Sequence, residues 1–340
     1  MIIVMKLGVE QSQVQETIDR IKELGFNTHL SQGQNRTIIG IVGDVSSIDE
    51  SEVERLRVTP YIEEVVRVSK PYKLVSRDFN KEDTVIKVNG IEIGGKKIVV
   101  MAGPCSVENK DQILNIAREV KKSGATLLRG GAFKPRTSPK DFQGLGEEGL
   151  KFLLEAKEET GLPIVTEVMD TRDVELVSEY ADILQVGTRN MQNYALLKEL
   201  GKIDKPVLLK RGMWATLKEF LGAAEYILAG GNQNVMLCER GIRTFSDFTR
   251  NTLDLSIVPV LKAESHLPVI VDPSHGTGRR DIVKPMALAA IACGADGLTV
   301  EAHTNPQKAI SDADQTISTA DLHSLMGEIK YISRMFGRDI

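Results

Sequence analysis

The stretch LLRGGAFKPRTSP occupies positions 127–139. An apolar run ends on Leu127 and Leu128 and breaks at once into Arg129, Gly130 and Gly131, with Lys134, Arg136, Thr137 and Ser138 close behind. Glycines let the backbone approach a ligand closely, and Arg presents a planar fork suited to carboxylate or phosphate. One such turn is ordinary, but this chain repeats the pattern. Strand-like runs are predicted at 98–103, 126–129, 163–168, 183–187, 206–210, 235–238, 268–271 and 297–301, with helical spacing between them, as at 112–122, 149–159, 217–228 and 285–293. About eight βα units over about 255 residues fit a (β/α)8 barrel. Strands rich in Val, Ile and Leu that alternate with helices point to a parallel sheet. A doubly wound open sheet is the competing topology, and it is weakened because no Gly-rich dinucleotide fingerprint follows the first strand.

Ahead of the barrel, the pattern reads strand 2–7, helix 13–24, strands 26–30 and 37–42 joined by the polar turn SQGQNR, helix 47–56 and strand 65–68. The order βαββαβ is that of a small α+β, ferredoxin-like unit. The predicted division is therefore a ferredoxin-like domain at 1–70, a polar linker at 71–84 containing Pro71, and an α/β barrel at 85–340. The barrel segment opens with a hairpin at 85–93 whose tip is Asn89-Gly90.

The chain has 340 residues and a formal net charge of -4, which argues against a nucleic-acid partner. Cationic clusters in an acidic protein suggest a small anionic ligand instead. Cys105, Cys238 and Cys293 are too scattered for a disulfide framework, so a reducing, cytoplasmic compartment is expected. The opening MIIVM is too short for a signal-peptide core. No run approaches the ~18 apolar residues of a membrane span.

In a (β/α)8 barrel, ligands bind at the C-terminal ends of the strands. Taken in order, those ends supply Cys105, then Arg129 with Lys134 and Arg136, then Glu167, Arg189, Lys210 with Arg211, Glu239 with Arg240, Asp272 with His275, and Glu301 with His303. The loop after the eighth carries Asp312. Ionisable residues delivered to one face from every strand are too costly to be incidental. They separate by chemistry into two sets. Cys105, His275, Glu301 and Asp312 combine a soft ligand, an imidazole and two carboxylates, which suits Zn²⁺, Mn²⁺ or Fe²⁺ better than Mg²⁺ or Ca²⁺. Arg129, Lys134, Arg136, Arg189, Lys210 and Arg240 call for more than one anionic group.

The motifs AGPCS, LLRGGAFKPRTSP, QVGTRN, LLKRG, CERGIRT and DPSHGTGRRD resemble those of the 3-deoxy-D-arabino-heptulosonate 7-phosphate (DAHP) synthases. The N-terminal unit is similar to the regulatory domain of their type I-beta branch. The resemblance implies a barrel enzyme, a transferase of the shikimate pathway leading to the aromatic amino acids. It would join phosphoenolpyruvate to erythrose 4-phosphate with release of phosphate. It implies a divalent metal (Mn, Zn, Fe or Co) on Cys105, His275, Glu301 and Asp312. Phosphoenolpyruvate would lie on Arg129, Lys134, Glu167, Thr188, Arg189, Lys210 and Arg240, and erythrose phosphate on Arg136 and Thr137.

Lys134 is the expected proton donor, on the argument that neighbouring cations loosen its proton. The resemblance further implies a homo-oligomer, a tetramer, controlled by tyrosine or phenylalanine through the N-terminal unit at His29 and Ser31, with 71–84 as the hinge. Two alternatives stand beside this reading: the sister 3-deoxy-D-manno-octulosonate 8-phosphate synthase, and a non-enzymatic sensor of a phosphorylated metabolite. Pro135 and Thr137 around Arg136 favour the four-carbon aldehyde over the first, and the metal quartet weighs against the second.

Overall fold

The structure, a computed structural model, describes residues 1–32, 37–42, 45, 48–66, 72–136 and 138–340. Most of the expected turn SQGQNR, the expected start of the second helix at Ser47, the last residues of the predicted first domain and Thr137 lie outside them. The chain divides into two compact units, Met1–Pro71 and Tyr72–Ile340.

The first unit runs strand Ile2–Met5, helix Gln11–Glu23, strands Asn27–Gln32 and Thr37–Val42, helix Glu50–Arg57 and strand Ile62–Val66. Its four strands form one antiparallel sheet in the order second, third, first, fourth. Alternation buries Ile3, Met5, Ile39 and Ile41 against Val14, Ile18, Ile21, Val53 and Leu56 of the two helices. The last strand begins three residues before the predicted 65–68. A register shift opposite Val4 and Met5 leaves Glu63 and Glu64 both exposed, and such a bulge hides the alternation that marks a strand.

The second unit is a closed barrel. Strands Val99–Gly103, Leu127–Arg129, Ile164–Val168, Ile183–Val186, Val207–Lys210, Val235–Glu239, Val269–Val271 and Gly297–His303 pair in parallel in that order, and the eighth returns to the first. Each lies within two residues of its predicted position. The hairpin Ile86–Val88 and Ile91–Ile93 turns through Asn89 and Gly90, both at positive φ as a two-residue hairpin turn demands. Its Ile86, Val88 and Ile93 pack against Val99, Leu127, Ile183 and Ile270. These contacts close the N-terminal end of the barrel and leave the C-terminal mouth as the opening.

Two expectations fail locally. The helix predicted at 285–293 is Arg280–Ala292, with Pro285 inside it rather than at its start. The segment 71–84 does not behave as a linker from Tyr72 onward. Glu225, on the helix Leu217–Ala229, accepts the backbone N–H groups of Lys73, Leu74 and Val75 at 2.9, 2.9 and 3.0 Å. Arg77 donates to the Lys262 carbonyl, and His266 bridges the Leu74 carbonyl and the Thr84 hydroxyl at 2.7 Å each. Tyr72 and Val75 enter the barrel core. Isolated apolar residues among polar ones conceal this anchoring from any test of composition.

The three described cysteines are free thiols. No helix among the described residues is long and apolar enough to cross a membrane.

Hydrogen bonds to a carboxylate are worth ~1.5–3 kcal/mol. Glu225→Ala is therefore expected to speed amide hydrogen exchange at residues 73–75 by about ten- to hundredfold, with the far-ultraviolet circular dichroism unchanged. Unchanged protection of those three amides would show that the carboxylate does not hold the segment.

Candidate active site

Of the residues assigned to the metal and substrate sets, all but Thr137, which lies outside the described residues, are delivered to the mouth. Arg129 and Lys210 end their strands and Arg240 follows its own. Glu167 lies near the end of the third strand, and Thr188 and Arg189 occupy a single turn after the fourth. One cleft is lined by Arg129, Lys134, Arg136, Glu167, Thr188, Arg189, Lys210 and Arg240, and by His275, Asp312 and Arg250. Cys105 and Glu301 are buried and touch residues of that lining. His29 and Ser31 belong to the other unit. Both are exposed on the strand Asn27–Gln32, and because Leu30 between them packs on the helices, alternation turns them to the sheet's opposite face.

The four expected metal ligands converge, with one donor atom from each lying within 4.8 Å of the others. Cys105 Sγ is 3.0 Å from Asp312 Oδ2, and His275 Nε2 is 3.3 Å from Glu301 Oε1. His275 Nδ1 is 2.7 Å from Asp272 Oδ2. With Nδ1 as the donor to that carboxylate, the Nε2 lone pair is turned into the cluster, the arrangement typical of a metal-binding imidazole. One sulfur, one nitrogen and two carboxylates that already face one another fit a borderline divalent ion. Burial pushes the Cys105 thiol up to about 12, and Glu301 adds to the effect. Burial works in the same direction on Asp312, but His275, the Cys105 hydrogen bond and Arg250 outweigh it and hold that carboxyl well below the usual range.

Asp272 joins the two sets of residues. Its Oδ2 also receives Lys210 Nζ at 2.6 Å, and its Oδ1 receives the His275 backbone N–H at 2.9 Å. Burial alone would raise this carboxyl, yet His275 and Lys210 keep it ionised far below its ordinary range. Arg129 donates to Glu301 Oε1 at 3.0 Å and to the Pro104 carbonyl at 2.6 Å.

The remaining cations are not neutralised. Among the described residues, no carboxylate pairs with Arg136, Arg189 or Arg240, and the buried Nε of Arg136 has no partner. Burial lowers the Arg240 guanidinium, and nearby Arg250 lowers it further. Guanidiniums kept unpaired around a cleft form a receptor for anions. Glu167 stands among them with Oε2 on Gln185 Nε2 at 3.2 Å and a buried, unpartnered Oε1.

Two sequence-based expectations change. Burial opposes the Lys134 charge, but the Cys105 sulfur and Glu301 more than offset it, so the ammonium holds its proton more firmly than usual. Its Nζ lies 3.0 Å from Cys105 Sγ, a contact that spacing does not reveal. Arg211 and Glu239 turn away from the cleft and pair at 2.9 Å, with Asp254 3.0 Å from the same guanidinium. His303, a strand-end residue assigned to neither set, accepts the Asn305 N–H on its Nδ1 at 2.8 Å. Conversely, Arg250 and Gln315 were missed because they sit in aperiodic loops. Asp272 is marked in the sequence by its place at the end of the seventh strand, but its double pairing is not.

The DAHP synthase ferredoxin-like domain family matches residues 1–70, and the DAHP synthetase I family matches residues 80–334. A phospho-2-dehydro-3-deoxyheptonate aldolase of Thermotoga maritima is 48% identical over 337 residues, covering 99% of both chains. A 2-dehydro-3-deoxyphosphooctonate aldolase of Syntrophobacter fumaroxidans is 31% identical over 267 residues, 73% of this chain and 92% of that one. The crystal structure of a Thermotoga maritima phospho-2-dehydro-3-deoxyheptonate aldolase (DAHP synthase) superposes with a TM-score of 0.88 at 47% identity, over 99% of this chain and 98% of that one. A truncated form of the 3-deoxy-D-arabino-heptulosonate 7-phosphate synthase from the same organism covers 79% of this chain with a TM-score of 0.74. The likeness to the heptonate enzyme extends through both units, and the chain belongs to the DAHP synthetase I family, as an enzyme of the DAHP synthase type.

Proposed function

We propose that this DAHP synthase condenses phosphoenolpyruvate with erythrose 4-phosphate and water to give DAHP and phosphate, as the first step of the shikimate pathway, in a metal-dependent reaction. The observation that carries the reading is a single cleft that combines unpaired guanidiniums with a Cys-His-Glu-Asp cluster. Arg129, Lys134, Glu167, Thr188, Arg189, Lys210 and Arg240 hold phosphoenolpyruvate, while Arg136 and Thr137 hold the phosphate of the aldehyde. A divalent ion (Mn, Zn, Fe or Co) on Cys105, His275, Glu301 and Asp312 supplies Lewis acidity. The enol carbon attacks the aldehyde carbonyl, and Lys134, an ammonium lining the cleft with Nζ 3.0 Å from Cys105 Sγ, protonates the new oxygen. Water adds to the carbon bearing the phosphate, and phosphate leaves by C–O cleavage.

Regulation belongs in this reading to the N-terminal unit. Tyrosine or phenylalanine binds at His29 and Ser31, whose imidazole and hydroxyl suit a phenol or an amino acid's polar groups. The working form is a cytoplasmic homotetramer.

Phosphate release from phosphoenolpyruvate is expected with erythrose 4-phosphate, far less with arabinose 5-phosphate, and not after chelation. The Cys105 thiol is protonated at neutral pH in the metal-free protein and gives up one proton on binding. Apparent Zn²⁺ affinity should therefore rise about tenfold per pH unit between roughly pH 6 and 8. A flat profile would remove the thiolate from the ligand set.

Arg136→Ala should raise KM for the aldehyde phosphate about ten- to hundredfold and spare KM for phosphoenolpyruvate, with the reverse for Arg189→Ala. Equal effects of both on both substrates would merge the two anion sites. Removal of residues 1–70 should leave an active enzyme indifferent to tyrosine, and His29→Ala should weaken inhibition without slowing turnover. Full tyrosine sensitivity in the truncated enzyme would move the effector site to the barrel.

A further inference from the structure

Three of the four clustered ligands are set by the barrel frame. Cys105 follows the first strand by two residues, Glu301 lies within the eighth, and His275 sits in the short helix Pro273–Thr277 after the seventh. Asp312 differs, since it lies in the loop between His303 and Ile317 at a φ of 53°. A non-glycine residue keeps that conformation only when its surroundings impose it.

The surroundings are supplied largely by Arg250, from the loop after the sixth strand. Its Nη1 donates to Asp312 Oδ1 at 3.0 Å and to Gln315 Oε1 at 3.0 Å. Buried Gln315 donates its Nε2 to Glu301 Oε2 at 2.7 Å. Arg250 therefore occupies the outer oxygen of Asp312 and leaves Oδ2 facing Cys105 Sγ. Through the Gln315 amide it also fixes which oxygen Glu301 turns inward. The same stretch braces His275. The Arg250 N–H donates to the Thr277 carbonyl at 2.9 Å, and Asn251 Nδ2 donates to the His275 carbonyl at 3.1 Å. The approach requires Gly278, where an added Cβ would come within 2.4 Å of Arg250 Cβ.

We propose that Arg250 is the positioning residue of the metal cluster, a clasp from the sixth loop that orients Asp312 directly and Glu301 through Gln315. This rests on the metal-site reading above. The clasp reaches across three strand-loop units, so the quartet is complete only when the sixth and eighth loops are joined.

The test uses the full chain, stripped of metal and titrated with Co²⁺ against a chromophoric chelator, with visible and near-ultraviolet spectra recorded. Arg250→Ala is expected to weaken Co²⁺ binding about ten- to hundredfold. It should alter the visible ligand-field bands while keeping the thiolate-to-cobalt band, because Cys105 still binds. Arg250→Lys should recover part of the affinity. Gln315→Leu, which frees Glu301 and leaves the Arg250–Asp312 pair intact, should give a smaller loss. If Arg250→Ala does not fold, the graded losses in Arg250→Lys and Gln315→Leu decide the matter. Unchanged affinity and spectra in the variants, with only KM for the aldehyde phosphate raised, would make Arg250 a substrate contact and overturn the clasp. Absence of the thiolate-to-cobalt band in the unsubstituted protein would instead sink the metal reading itself.

Discussion

Two buried carboxylates, Asp272 and Glu301, make the crowded mouth of this barrel possible. Cations packed around one cleft repel each other, and burying them without counter-charge is prohibitive. Asp272 Oδ2 answers both Lys210 and His275, and Glu301 answers Arg129, His275 and Gln315. Each carboxylate therefore ties a cation of the cleft lining to the imidazole of the Cys-His-Glu-Asp cluster. Neither set of side chains can shift without disturbing the other. Removing one partner from such a pair leaves a buried charge uncompensated, which is far costlier than the pair's net contribution to stability.

The parts legible in the sequence share one trait: a local pattern is enough to place them. Strands in a closed parallel barrel are buried on both faces, so they stand out as short apolar runs, and the residue at the end of each is then in the mouth by topology alone. That logic places Cys105, Arg129, Lys210, Arg240 and Glu301. It fails where the structure depends on long-range partners. Arg250 and Gln315 matter because of what they touch across the mouth. Arg211 and Glu239 look like mouth residues and instead neutralise each other. The proton affinity of Lys134 depends on a thiol and a carboxylate that spacing could not set beside it. At Tyr72 and Val75 a polar segment proved anchored, because two apolar side chains and one distant carboxylate outweigh its composition.

The relatives divide along the same line. The octonate aldolase of Syntrophobacter fumaroxidans aligns over 73% of this chain, whereas the heptonate aldolase of Thermotoga maritima aligns over both units. Within this chain the chemistry-bearing cluster is confined to the larger unit, while the smaller one contributes an exposed sheet face with a histidine and a serine.

The hairpin that seals the far end of the barrel has an electrostatic consequence. Ile86, Val88 and Ile93 fill that end with hydrocarbon, so the charged mouth stands on a layer of low polarisability. Field lines from the unpaired guanidiniums find little to screen them below and spread outward into solvent. The chain as a whole carries a formal charge of -4, yet the cleft lining holds seven Lys and Arg residues against three Asp and Glu. A small polyanion diffusing nearby is drawn toward that cleft. The apolar plug thus acts as a reflector, converting a local excess of charge into directional capture.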